Sequence, residues 1–140
     1  MVDRGKRLKP ARPKAGSRIK TPVVELENPQ ALPPLFSLSD MQAGYCVSDC
    51  DREHQAGFAV ALWERSKMTW LEITLAPRHG LGIEQINRSA LKQPIPRKIT
   101  PDVDFIALRF HGNAPMVGYR DGRIFHILWL DHDFSVYDHK

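Results

Sequence analysis

Histidine gathers towards the C-terminal end of this 140-residue chain. Of six histidines (His54, His79, His111, His126, His132 and His139), four fall within residues 111–139. Arg109, Arg120 and Arg123 are interleaved with them, and Arg78 directly precedes His79. Imidazole gives and takes protons near neutral pH. Guanidinium stays charged and grips phosphate in a rigid fork. Together these residue types suit chemistry at a phosphodiester, which needs a base, an acid for the leaving oxygen and a cation for the extra charge. Such a scheme requires no metal or cofactor, and none is expected.

Each candidate also has a structural reading. Arg109 shares a strand face with Phe105 and Ala107, as a phosphate ligand or as a snorkelling surface cation. Arg120 and Arg123 flank a turn, where cations are common on solvent faces. His126 lies in the apolar run Ile124–Leu130 and is equally a hydrogen-bonded core histidine. Arg78 and His79 sit in a loop, able to hold phosphate or simply solvated. Tyr137 and His139 stand close to the C-terminus, where chains fray. Cys46, Cys50 and His54 have a spacing that hints at zinc, but a fourth ligand is not evident. Trp63, Trp70 and Trp129 each sit in an apolar run and read as core.

The elements that must position these residues follow from pattern. Leu35–Leu38 reads as a short strand. Ser48 or Asp49 caps a helix over about Asp51–Ser66, with Asp51 and Glu53 at the positive end of its dipole. Its centre, Ala56–Trp63, is apolar on nearly every side, which predicts packing on more than one side. Thr69 and Glu72 form a capping box, with Met68 and Ile73 at the staple positions, so a second short helix starts there. Pro77 ends it. Asp104–Phe110 alternates, Ile106, Leu108 and Phe110 facing one way and Phe105, Ala107 and Arg109 the other. Asp121-Gly122 between two β-like runs predicts a hairpin. That turn sets Tyr119 opposite Ile124 and Val117 opposite His126, with His126 sharing a face with Tyr119, Leu128 and Leu130. Ser135–Tyr137 reads as a final strand. The order is β-α-α-β-β-β: an α+β fold with two helices on an antiparallel sheet of three to four strands.

Charge divides the chain. Residues 1–20 carry eight basic residues against Asp3, a charge of +7, and the rest of the chain carries −3. Residues 1–22 therefore read as a disordered basic tail, and 23–140 as a single domain. Within that domain, residues 21–77 are locally −5 and residues 78–123 locally +4. The hydrophobic share of 42% suffices for a core. No apolar run approaches the ~20 residues of a membrane span, and the basic start lacks the apolar stretch of a secretory signal. A cytoplasmic protein without a membrane partner is expected.

The helix pair 51–76, the strand Ile106–Phe110, the hairpin Val117–His126 and the terminal Tyr137-Asp138-His139 together resemble the RelE/ParE-like toxin superfamily of toxin–antitoxin systems. The resemblance covers about residues 35–139. It implies a metal-independent endoribonuclease, an mRNA interferase that cuts mRNA on the ribosome through the substrate's 2′-hydroxyl. It also implies a cognate antitoxin protein as partner. Carried over by position, Arg109 and Arg120 match the sheet arginines, and Tyr137 and His139 the C-terminal aromatic and imidazole. With His126 these make the expected catalytic set, and Arg78, His79 and Arg123 the expected RNA-binding set. The same resemblance admits a non-catalytic module that inhibits a protein target, as in the ParE branch. The tail alone admits a nucleic-acid-binding accessory protein.

Overall fold

The alternation in residues 104–110 is the centre of the structure, because it gives one strand two apolar faces. The computed structural model describes residues 28–139, so the expected basic tail lies outside the described residues. Five strands form one sheet: β1 (Leu35–Ser37), β2 (Ile83–Ile86), β3 (Phe105–His111), β4 (Ala114–Asp121) and β5 (Ile124–Leu130). Their spatial order is β1-β5-β4-β3-β2. Helices α1 (Arg52–Arg65) and α2 (Trp70–Leu75) lie between β1 and β2 in the chain. None of the described helices is long and apolar enough to cross a membrane.

The α+β class stands, and the sheet differs from expectation in three ways. It is mixed, since β1 runs parallel to β5 with Leu35 beside Ile124, while the other pairs are antiparallel. It has a fifth strand, β2, four residues long and too short to declare itself by period. The expected strand at Ser135–Tyr137 is instead a single bridge between Leu91 and Tyr137. There the Asp131 carboxylate takes the amides of Ser135 and Val136 at 2.8 and 3.2 Å, so a side chain replaces the ladder.

The hairpin turn sits one residue later than Asp121-Gly122 suggested. Asp121 pairs with Ile124, leaving Gly122 and Arg123 as the loop, with Gly122 at φ 62°. Tyr119 therefore faces His126, not Ile124. The register then shifts between Gly118 and Val117, so Val117 faces Trp129, not His126. The bulge adds Leu128 to β5 and turns Leu130 to the sheet face opposite Leu128. A side chain at Gly118 would run into the carbonyl of His126, so the close approach at the bulge needs glycine.

Two cores result. On one face, Phe58, Ala61, Trp70 and Ile73 of the helices pack on Ile106, Leu108, Phe110, Met116, Phe125 and Ile127. On the other, Phe105, Ala107, Val117, Leu128 and Trp129 are covered by Ile99, Val136 and Tyr137 from irregular segments. Asp51, not Ser48 or Asp49, caps α1, accepting from the His54 amide at 2.8 Å. The Thr69–Glu72 capping box forms as expected. Helix α1 buries one side only. Ala56, Ala59, Val60 and Trp63 are exposed at i, i+3, i+4 and i+7, and Trp63, expected in the core, is 60% exposed.

Candidate functional site

Strand β2 pairs only with Phe105–Leu108, so β3 runs beyond it from Arg109 to His111. Arg109 thus stands at an open corner of the sheet, on the face of Ala107 that the C-terminal segment covers. The loop after α2 reaches that corner. It is pinned by the Gly80 and Gly82 amides, both donating to the Pro77 carbonyl at 2.9 Å. This turn brings His79 to Arg109, whose Nη2 lies 3.1 Å from His79 Nδ1 and whose Nη1 donates to the His79 carbonyl at 3.4 Å. An acceptor role for Nδ1 places the imidazole hydrogen on Nε2.

The chain end closes the other side. Asp131 is fully buried and accepts His139 Nε2 at 2.9 Å besides the Ser135 and Val136 amides. With a carboxylate on Nε2, the neutral ring carries its hydrogen there and leaves Nδ1 bare to accept a proton. The His139 ring lies on that of Tyr137, 4.0 Å between centroids. The Tyr137 hydroxyl donates to Glu84 Oε1 at 3.2 Å, and Arg78 Nη1 lies 3.6 Å from Glu84 Oε2. Burial, and next the Glu84 charge, push the Tyr137 phenol well above its ordinary range. It remains a hydrogen donor at neutral pH.

Between these groups lies a cleft of about 320 Å³ lined by Arg78, Arg109, Asn113, Phe134, Tyr137 and His139, among others. Arg109 also lines a larger, more apolar groove of about 630 Å³ beside α1, with Ala56, Val60, Leu81 and Phe110. In that wall Arg65 is fully buried without a carboxylate partner among the described residues, its Nη1 and Nε donating to the Ala61 and Leu81 carbonyls at 3.3 and 3.2 Å. Burial pushes its pKa down to about 10.

Four of the eight candidate residues line the cleft, Arg78, Arg109, Tyr137 and His139, and His79 reaches Arg109 from the neighbouring groove. The other three do neither. Arg109 stands opposite Pro115, and Arg120 opposite Phe125 near the far turn. Arg120 is five steps along β4 from Pro115, roughly 17 Å at the strand rise. Arg120 lies over the Trp70 ring, 4.1 Å from its centroid, and donates to the Gly122 carbonyl. Arg123 donates to the Pro33 carbonyl at 2.9 Å, and its own carbonyl accepts Trp70 Nε1 at 2.8 Å. His126 stacks on Tyr119 at 4.7 Å and 14° between planes, and its buried Nδ1 has no hydrogen-bond partner among the described residues. Arg120 and Arg123 tie the hairpin to α2 and to Pro33, and His126 packs within the hairpin, all away from the cleft.

Asp131, Glu84, Asn113 and Phe134 belong to the corner and were not singled out from the sequence. Asp131-His132-Asp133 reads as a turn, and only burial reveals that its first carboxylate orients His139. At the residues with zinc-like spacing, Cys46 Sγ bonds Asp49 at 2.9 Å and His54 Nδ1 lies 2.7 Å from Asp51. Among the described residues no group of three His, Cys, Asp or Glu side chains is arranged to hold a metal ion.

Neither a protein-family model, nor a curated protein, nor a solved structure matches the chain.

Proposed function

We propose that the chain is a metal-independent endoribonuclease whose cleft cuts RNA by means of the substrate's own 2′-hydroxyl. The carrying observation is the Asp131–His139 pair beside Arg109 and Arg78. His139 Nδ1 takes the 2′-hydroxyl proton. The 2′ oxygen attacks phosphorus, and a 2′,3′-cyclic phosphate forms as the bond to the 5′ oxygen breaks. Arg109 and Arg78 carry the added charge on the phosphoryl oxygens. The departing 5′ oxygen takes its proton from solvent, and His79, on the groove side of Arg109, holds that guanidinium in place. Tyr137 and Glu84 hold His139 and Arg78 in place. On this reading Arg120 and His126 leave the expected catalytic set and Arg123 the expected RNA-binding set, all three being structural. The RelE/ParE-like resemblance adds mRNA on the ribosome as substrate, a cognate antitoxin as partner and the cytoplasm as compartment.

Tightly controlled expression tests this, with growth followed and transcript ends mapped in the same cells. Wild type and Arg120→Ala should arrest growth with new internal mRNA ends, and the Arg109→Ala/His139→Ala double variant should do neither. New ends that persist in the double variant would remove the cleft as the site.

One observation favours a second reading. The outer face of α1 exposes Ala56, Ala59, Val60 and Trp63 in a continuous stripe, which suits a protein partner in a non-catalytic module. Arrest without new RNA ends, abolished by Trp63→Ala, would support that reading instead.

A further inference from the structure

We propose that Phe134 is a stacking platform for an unpaired nucleobase, so that the strand entering the cleft is single-stranded RNA. This inference rests on the RNA-cleaving reading of the same cleft and names the form of its substrate.

Phe134 stands out in a tightly packed segment. Asp131, Val136 and Tyr137 are buried around it, yet Phe134 is 46% exposed. Its φ is 60°, the only positive value at a non-glycine residue among those described. L side chains avoid that conformation, which glycine or asparagine adopts more readily. Neither core includes the ring. Its aromatic contact is edge-on to His139, with centroids 5.1 Å apart and planes at 88°. It lines the cleft together with Arg109 and Arg78.

A strained backbone that holds an apolar ring in solvent contributes nothing to the core. Such conformations persist where the ring has a use. Its setting indicates which. An aromatic face beside guanidinium groups is the pairing that binds single-stranded nucleic acid, the ring stacking a base and the cations holding the backbone. A duplex keeps its base faces stacked inside and offers none to Phe134. A nucleotide stacked there carries its phosphodiester across the same cleft towards Arg109. The edge-on contact with His139 ties this platform to the proposed base.

The test uses the full chain, with Phe134→Asn and Phe134→Trp variants. Asparagine tolerates the left-handed backbone, so Phe134→Asn should melt no lower than wild type. The probe is a labelled 2′-O-methyl RNA oligonucleotide, which lacks the attacking hydroxyl and stays intact. It is offered as a single strand, as a duplex and as a strand of abasic sugar-phosphate. Wild type and Phe134→Trp should bind the single strand more tightly than the duplex. Phe134→Asn should bind the single strand about tenfold or more weaker, with an unchanged salt slope because the phosphate contacts remain. The abasic strand should not distinguish the variants. Equal single-strand binding by Phe134→Asn, a preference for duplex, or an equal loss on the abasic strand would overturn the platform. If unmodified RNA stays intact while single-strand binding depends on Phe134, the cleavage reading falls and the platform stands. If RNA is cut while binding ignores Phe134, the reverse holds.

Discussion

Asp131 is a fully buried carboxylate whose neighbours are two amides and the His139 imidazole. That environment holds the His139 ring through Nε2, and the proposed function uses its other nitrogen as the base. His139→Ala should lower RNA cleavage by about 10²–10⁴-fold, the usual contribution of a general base, and lower the melting temperature as well, because the buried Asp131 carboxylate loses a partner. Asp131→Asn would offer an amide donor to Nε2 and reverse the tautomer. It should cost rate in kcat rather than KM, measured on the same substrate. Arg78, His79 and Arg109 were candidates by residue type and position, and Tyr137 and His139 by the family resemblance. Arg120, Arg123 and His126 were equally plausible by type, and tertiary packing alone sets them apart. Trp70 takes Arg120 on its face and Tyr119 takes His126, neither of which a single sequence declares.

At the scale of elements, the cleft exists because β2 is short. Four residues cover half of β3 and leave Arg109 uncovered. The alternation of β3, the hairpin and the second helix's capping box were readable because each depends on contacts within a few residues. The parallel pairing of β1 with β5 depends on residues about 90 positions apart and left no local trace. The bulge hid as well, since the Asp-Gly pair points to a regular turn while Gly118 absorbs the extra residue. Gly118→Ala should therefore destabilise the chain by about 1–3 kcal/mol or more, seen in urea unfolding. It should shift the Tyr119–His126 register without touching the cleft.

Helix α1 carries its own pH signature. The His54 amide bond, and then the His54 side chain, hold the Asp51 carboxyl below its ordinary 3.8. A carboxylate with a depressed folded-state pKa adds stability that is present above 3.8 and lost as pH falls through the folded value. Melting temperature should drop on acidification below pH 3.8. The drop should be shallower in Asp51→Asn, where an uncharged cap replaces the titrating one. Identical acid limbs in the two proteins would show that this cap does not titrate with folding.

At the scale of the whole molecule, the described residues form three layers: the helices, the sheet, and a cover of irregular segments that includes residues 131–139. The cleft lies where the sheet's β2 side meets that cover, beyond the reach of any one element. Hence the sequence could supply its members and not their meeting. Charge also works at this scale. The body carries −3, while residues 1–20 carry +7. Under the proposed function, removing residues 1–27 should weaken RNA binding and flatten its salt dependence, while cleavage at saturating RNA persists. Loss of cleavage even at saturation would place chemistry in the tail. In the helix-side groove, Arg65 without an acid partner among the described residues resembles a buried charge that a hydrophobic residue can replace. Arg65→Met should match or exceed the wild-type melting temperature, and Arg65→Ala should fall below it by leaving a void.

The most direct measurement incubates the purified full chain with single-stranded RNA in EDTA and identifies the new ends. Wild type and Arg120→Ala should produce 2′,3′-cyclic phosphate ends at comparable rates, and His139→Ala and Arg109→Ala should produce almost none while remaining folded. Intact RNA with the wild type, or equal cleavage by His139→Ala, would contradict the account.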